Sequence, residues 1–254
     1  MEITFLGTGT AMPTGERFQT GLLLESGGDS LLVDCGSGAL HGLARTETGY
    51  EGIDALLLTH HHWDHVSDID VLLQARWLAG EESLPVFGPQ GTRELLDEIV
   101  GTSEDMRDRL DLTITELDPD EAPFEIAGFD IDAMWTRHSV DCLAYRFETG
   151  GAPFVFSGDS EAFEELIEFA DGAAVLAHDC SFPDDVDVSN HPTPATLGEA
   201  LAAADAEVGR VYLTHLYPHT DGRHEEMLDS IADSYDGEVR FARDGLQLDI
   251  SKEN

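Results

Sequence analysis

His60, His62, Asp64 and His65 fall within six positions of one another in the stretch Thr59-His60-His61-His62-Trp63-Asp64-His65. The stretch follows the aliphatic run Ile53-Asp54-Ala55-Leu56-Leu57-Leu58, preceded by Gly52, which reads as a buried strand. Side chains two apart in extended chain point the same way, so His60 and His62 can converge on one metal ion. Asp64 and His65 come where the strand gives way to a loop, and a turn there can aim both at a second ion. Imidazole nitrogen combined with carboxylate oxygen suits zinc or a neighbouring first-row metal. A histidine run on a solvated loop is the competing reading, and three further ligand-type residues in register with His60 argue against it. His61 and Trp63 alternate to the opposite side and are left out of the site.

Further ligand-type residues stand at the ends of other apolar runs. His138 follows Asp130 to Trp135, Asp159 follows Val155-Phe156-Ser157-Gly158, and His215 follows Val211-Tyr212-Leu213-Thr214. Alone, Asp159 reads equally as a helix cap and each histidine as structural; jointly they complete the ligand set of a two-metal centre. His191, in Asn190-His191-Pro192-Thr193-Pro194, lies just before a helix start and is a candidate proton donor or a plain loop histidine. Asp34, in Val33-Asp34-Cys35-Gly36-Ser37-Gly38, either orients a ligand imidazole or caps a turn. Gly7-Thr8-Gly9-Thr10 ends the first strand as a tight turn, or as backbone N–H groups open to an anion. His178 is assigned to packing, and His41, His219 and His224 to the surface, with His219 near enough to His215 to meet substrate.

The elements that must position these residues follow from periodicity. Strands are expected at Ile3 to Leu6, Thr20 to Glu25, Leu31 to Asp34, Pro85 to Gly88, Leu112 to Leu117, Phe124 to Trp135, Leu143 to Phe147, Phe154 to Phe156, Ala174 to Ala177 and Val211 to Thr214. Helices are expected from about Ala39, then at Val66 to Leu78, Thr92 to Val100, Glu161 to Phe169, Pro194 to Ala204 and Arg223 to Ser234. Glu238 to Ile250 closes the chain with one or two strands. No linker or low-complexity segment divides residues 1–254, so the expectation is one α/β domain of two similar halves.

Charge sets the surroundings. The chain has 52 acidic residues against 13 basic, a formal net charge of −39, and one lysine, Lys252. The acid spreads over the turns and helix faces, as at Glu94, Asp97, Glu98, Glu104, Asp105, Glu161, Glu164, Glu165 and Glu168. With 41% hydrophobic residues and clear periodicity, this is the surface of a folded core rather than a disordered tail. Such charge repels itself at low ionic strength, and at about 1 M salt a Debye length of roughly 3 Å screens most of it. The expected setting is a salt-rich cytoplasm of the kind found in halophilic archaea. Nothing in the sequence offers a basic patch for nucleic acid. Cys35, Cys142 and Cys180 have no paired spacing, consistent with a reducing interior. The start Met1-Glu2-Ile3-Thr4-Phe5 lacks signal-peptide features and no stretch has the length of a membrane span, so a soluble protein is expected, with no membrane partner.

The pattern His60-x-His62-x-Asp64-His65, followed in order by His138, Asp159 and His215, resembles the metallo-β-lactamase superfamily. The resemblance covers nearly the whole chain. It is nearest to the ribonuclease Z and small phosphodiesterase branch, through Phe5-Leu6-Gly7-Thr8-Gly9, Ser157-Gly158-Asp159-Ser160 and His191-Pro192-Thr193. It implies an αββα sandwich of two mixed sheets flanked by helices. It also implies two divalent metals, zinc first with Mn²⁺ or Fe²⁺ as alternatives, about 3.5–4 Å apart. His60, His62 and His138 would hold one, Asp64, His65 and His215 the other, and Asp159 would bridge them. A hydroxide shared between the metals would attack phosphorus, Asp64 orienting or deprotonating it and His191 protonating the leaving oxygen. The long arm with which tRNA-processing members grip tRNA has no room here: His138 and Asp159 are 21 positions apart, and Asp159 and His191 are 32. The resemblance therefore points to a smaller phosphodiester or a cyclic nucleotide more than to RNA, and it implies a homodimer. A thioester or lactam hydrolase, and a metal-binding protein without catalysis, are the alternatives.

Overall fold

In a computed structural model, residues 1–102 and 109–250 are described. Glu104, Asp105 and Lys252 lie outside them. Among the described residues fourteen strands form two seven-stranded sheets. The first sheet contains β1 (Glu2–Gly7), β2 (Gly21–Ser26), β3 (Asp29–Val33), β4 (Ala55–Leu57), β5 (Val86–Gly88), β6 (Ile114–Glu116) and β14 (Gln247–Asp249), in the order β14-β1-β2-β3-β4-β5-β6. The second contains β7 (Phe124–Ile126), β8 (Phe129–Trp135), β9 (Leu143–Glu148), β10 (Phe154–Phe156), β11 (Val175–Asp179), β12 (Arg210–Thr214) and β13 (Glu238–Phe241), in the order β13-β12-β11-β10-β9-β8-β7. Each sheet is antiparallel on one side and parallel on the other, the parallel parts being β3 to β6 and β10 to β13.

Side chains alternate across these strands. Leu22 and Leu24 of β2 face the core between the sheets, with Phe147 and Phe154 among its members, while Leu23 faces the outer layer. That layer holds α1 (Ala39–Leu43), α2 (Trp63–Val66), α3 (Ile69–Ala79) and α4 (Thr92–Gly101). On the second sheet Tyr212 faces the shared core, whereas Val211 and Leu213 face α5 (Glu164–Phe169), α6 (Pro194–Ala203) and α7 (His224–Ala232). The arrangement is the expected αββα sandwich of two mixed sheets flanked by helices. Among the described residues no helix is long and apolar enough to cross a membrane.

Three elements differ from the periodicity. The expected helix from Val66 to Leu78 is two helices, because the Asp68 N–H donates to the Cys35 carbonyl and its carboxylate accepts from the N–H groups of Gly38 and Leu40. The expected strand from Phe124 to Trp135 is a hairpin of β7 and β8, turning at Ala127 and Gly128 with φ of 47° and 73°. An alanine carries no turn signature, so the apolar pattern reads straight through it. The expected helix from Glu161 begins only at Glu164. The Glu161 N–H donates to the Arg137 carbonyl, and the Glu161 carboxylate accepts from the Asn190 N–H.

Candidate metal centre

The carboxyl ends of the parallel strands meet at one edge of the sandwich, where open α/β sheets place their ligands. From the first sheet, Asp34 follows β3 and the segment from Thr59 to His65 follows β4. From the second, Asp159 follows β10, Asp179 ends β11 and His215 follows β12. His60 and His62 lie beyond β4 in extended loop, and Asp64 and His65 lie on α2. Two glycines allow the loops to close. A Cβ on Gly36 would collide with the Asp64 carbonyl, and one on Gly7 with the Gln19 carbonyl. Asp34 and His215 hold φ of 59° and 57°, a conformation non-glycine residues adopt at a cost of about 1–3 kcal/mol and keep mainly at functional sites.

All seven residues singled out as ligands come together. The ligand-type atoms of His60, His62, His138 and Asp159 lie within 4.8 Å of one another, as do those of Asp64, His65 and His215. Asp159 stands between the groups, 3.6 Å from His60 Nε2, 3.8 Å from His138 Nε2, 3.2 Å from His65 Nε2 and 3.3 Å from His215 Nε2. Asp64 Oδ2 is 3.1 Å from His215 Nε2.

Hydrogen bonds on the far side of the rings set the tautomers. His65 Nδ1–H donates to Asp34 Oδ2 at 2.7 Å, and His138 Nδ1–H to the Asn190 carbonyl at 3.1 Å. The Thr59 hydroxyl donates to Asp34, so it accepts from His60 Nδ1–H at 3.0 Å. The Ser181 hydroxyl donates to Asp179 and accepts from His215 Nδ1–H at 2.9 Å. With the Nδ1 atoms so engaged, four Nε2 atoms converge as the ones left to meet a cation, joined by His62 Nδ1 at 3.2 Å from His138 Nε2. In the bare protein some of them carry protons in its place, as His215 Nε2 does toward Asp64 at 3.1 Å. Moreover, His60 Nε2, His65 Nε2 and Asp159 Oδ1 are buried without a hydrogen-bond partner. The donor set fits divalent transition metal.

The electrostatics of the bare protein agree. Burial opposes charge on His215, yet Asp159, Asp179 and Asp64 outweigh it and push the imidazole up to about 10. Burial likewise opposes charge on His65, and Asp159 and Asp34 raise it well above the usual range. Asp159 is held well below the carboxylate range despite burial, by His215, His65 and His60. The buried carboxylates hold protons on their neighbours where a divalent cation would otherwise supply the positive charge. Removing bound metal with a chelator should therefore lower the melting temperature in high-salt buffer, and zinc should restore it. Each orphaned buried polar atom costs about 1–3 kcal/mol, and each kcal/mol moves a chain of this size by about 2–4 °C. An unchanged calorimetric transition after verified removal would count against a buried metal centre.

His191 sits beside the cluster. Its Nδ1–H donates to Asp179 Oδ2 at 2.7 Å, and its ring stacks on His215 at 5.3 Å. Its Nε2 makes no hydrogen bond to a described residue. A ring nitrogen of His191 also lies within 4.8 Å of ligand-type atoms of Asp159 and His215. Burial lowers the imidazole, but Asp179 more than compensates and its pKa is raised. Asp179 is fully buried and held at about 2 by His191 and His215, against the effect of burial. Asp179 and Ser181 were not singled out from the sequence, although Asp179 ends an apolar run just as Asp34 and Asp159 do.

The remaining residues find definite places. Asp34 holds Thr59 and His65, which decides for the orienting role. Gly7 to Thr10 is neither a tight turn nor an open cradle: Gly9 forms a β-bridge with Gln19, the Thr8 N–H donates to Asp244 and the Gly9 N–H to the Phe18 carbonyl. Asp159 caps no helix. His61 turns away, donating from Nε2 to the Thr92 hydroxyl, whose own proton goes to Pro89. His178 lies within β11, fully buried, with its Nδ1–H on the Asp179 carbonyl. His219 is exposed and packs on Phe182, and His41 is exposed. His224 is half-buried, its ring stacked on Phe241 at 4.0 Å, rather than a free surface residue. Trp63, set aside on alternation, instead forms part of the wall of a cavity of about 270 Å³ over the cluster, with Ala11, Ser139, Asn190, His191 and Tyr217. Starting α2 at Trp63 breaks the alternation that hid it.

The profile of the family described as Anti-Pycsar protein Apyc1 matches residues 1–242. The probable metallo-hydrolase YhfI of Bacillus subtilis is 31% identical, over 97% of this chain and 98% of its own length. A ribonuclease Z of Mycobacterium bovis is 29% identical, over 98% of both chains. The crystal structure of YhfI, described as a metallo-β-lactamase fold protein, superposes with a TM-score of 0.84 at 30% identity over 98% of this chain and 99% of YhfI. The short form of human tRNase Z, at 21% identity and a TM-score of 0.77, covers 98% of this chain and 99% of its own and shares the fold.

Proposed function

The chain belongs to that family, within the metallo-β-lactamase fold, and from this membership and the geometry of the cavity we propose that it is a phosphodiesterase of small substrates. It is a metal-dependent hydrolase, here read as a single catalytic domain with two metals, zinc first and manganese or ferrous iron as alternatives. His60, His62 and His138 would hold one cation, Asp64, His65 and His215 the other, with Asp159 shared. Cations held there supply Lewis acidity to the phosphoryl oxygens and lower the pKa of water from 15.7 to about 7.

The observation that carries the reading is His191 paired with Asp179 beside the ligand cluster. Asp179 fixes the tautomer, so His191 Nε2 is the nitrogen left to carry a proton to a leaving oxygen. That need is greatest when an alkoxide departs, as from a phosphodiester. Asp64, at 3.1 Å from His215, can orient the attacking water as well as bind metal. The cavity, including Ala11, Ser139, Asn190 and Tyr217, is lined by neither arginine nor lysine among the described residues. A singly charged diester or cyclic nucleotide suits such a pocket better than a polyanion, and RNA is the less favoured substrate. The net charge of −39 suits a salt-rich cytoplasm, and assembly as a homodimer is part of the same reading.

The deciding experiment is turnover in high salt, with and without zinc, of bis-p-nitrophenyl phosphate and a 3′,5′-cyclic nucleotide beside a thioester, a β-lactam and a tRNA precursor. Metal-dependent cleavage of the diester and cyclic nucleotide is expected. Cleavage of the thioester or the lactam alone would overturn the reading.

A further inference from the structure

We infer that Trp63 is the specificity-determining residue of this site, stacking the planar base of the substrate while its phosphate lies over the ligand cluster. The inference rests on the phosphodiesterase reading and assigns a role to a side chain that the chemistry leaves unused. Trp63 is the first residue of α2, next to His62, and is 82% exposed. Its neighbours Asp64, His65 and Val66 are buried, so the helix turns this one residue outward. Among the described residues no other ring and no cation packs on its faces, whereas Tyr217 on the same cavity is already stacked on Phe182 at 4.3 Å. An indole left this open in water is a large apolar surface without a partner.

Position supplies the partner. The cavity over the cluster, about 270 Å³, falls below the roughly 300–1,000 Å³ of pockets that enclose a whole small ligand. Part of a nucleotide must therefore lie outside it. Trp63 also lines a second cleft of about 290 Å³ with Val66, Leu95 and Ile99, so its indole borders both spaces. Among the described residues neither is lined by lysine or arginine, and the chain carries a net charge of −39. Beyond the metals, affinity for an anion must come from uncharged contact, and a base has a π-face to offer.

The test is calorimetric binding to the zinc-loaded full chain, in high salt, of adenosine 5′-monophosphate and ribose 5-phosphate, which differ by the base. The wild type should bind the nucleotide roughly 5- to 150-fold more tightly, the range for stacking one base. Trp63→Ala should bring the ratio to within about twofold of one by weakening the nucleotide alone, and Trp63→Phe should keep most of the preference. A ratio unchanged in Trp63→Ala overturns the inference. If sedimentation also shows a dimer becoming monomer with that ratio intact, Trp63 is a subunit contact instead. Binding needs no turnover, so absence of diester cleavage with a collapsed ratio would refute the phosphodiesterase reading and leave the base contact standing.

Discussion

Asp159→Ala is expected to lose metal and turnover together, with activity falling further than the about 10–100-fold typical of losing a partner that only supports a ligand. The reason is position: one buried carboxylate lies within 4 Å of ring nitrogens from four histidines belonging to both ligand groups. Without it four imidazoles surround a gap, and neither group retains a charge to offset a divalent cation beyond Asp64. Asp34→Asn is the graded comparison. The Asp34 carboxylate supports His65 and Thr59 without joining either ligand group, and loss of such a supporting partner typically costs about 10–100-fold. Metal content by mass spectrometry and turnover of bis-p-nitrophenyl phosphate read both variants, with circular dichroism reporting the fold. A folded Asp159→Ala protein with wild-type metal content and turnover would remove Asp159 from the centre.

His191→Ala should behave in the opposite sense, keeping its metals while losing about 10²–10⁴-fold in turnover of substrates with alkoxide leaving groups. With p-nitrophenolate, which departs as a stable anion, the loss should be much smaller. Equal losses for the two leaving groups would sink the proton-donor role. The pH profile gives a second readout. A donor works protonated, so turnover should fall as pH rises through the pKa of His191, which Asp179 raises above 6.5 against the effect of burial. In Asp179→Asn that support is gone while burial remains, so the alkaline limb should move to lower pH. A limb that stays in place would separate Asp179 from the titration.

The cluster of candidate ligands was legible because strand-end histidines and carboxylates are chemically conspicuous and the alternation of extended chain carries past β4 to His62. The sandwich was legible through the family resemblance, whereas periodicity alone indicated strands covered by helices; in the structure Leu22, Leu23 and Leu24 bury both faces of one strand. What escaped depends on partners distant in sequence. Asp179 gains its meaning only when β11 lies between β10 and β12, where Ser181 links it to His215 and His191 folds back onto it. The Thr8 N–H donates to Asp244, 236 positions away, and no local pattern announces that bond. Trp63 escaped because the alternation assumed for the motif ends where α2 begins.

Each ligand group takes residues from both sheets: His60 and His62 with His138 and Asp159, and Asp64 and His65 with His215. The same seam carries a hydrogen bond from the Tyr145 hydroxyl to the Leu58 carbonyl and one from the Leu143 N–H to the Thr59 carbonyl. The two halves of the chain are thus not free to drift apart in evolution. A substitution that slides one sheet over the other is felt at the ligands, so inheritance must treat the interior of the sandwich and its reactive edge as one trait.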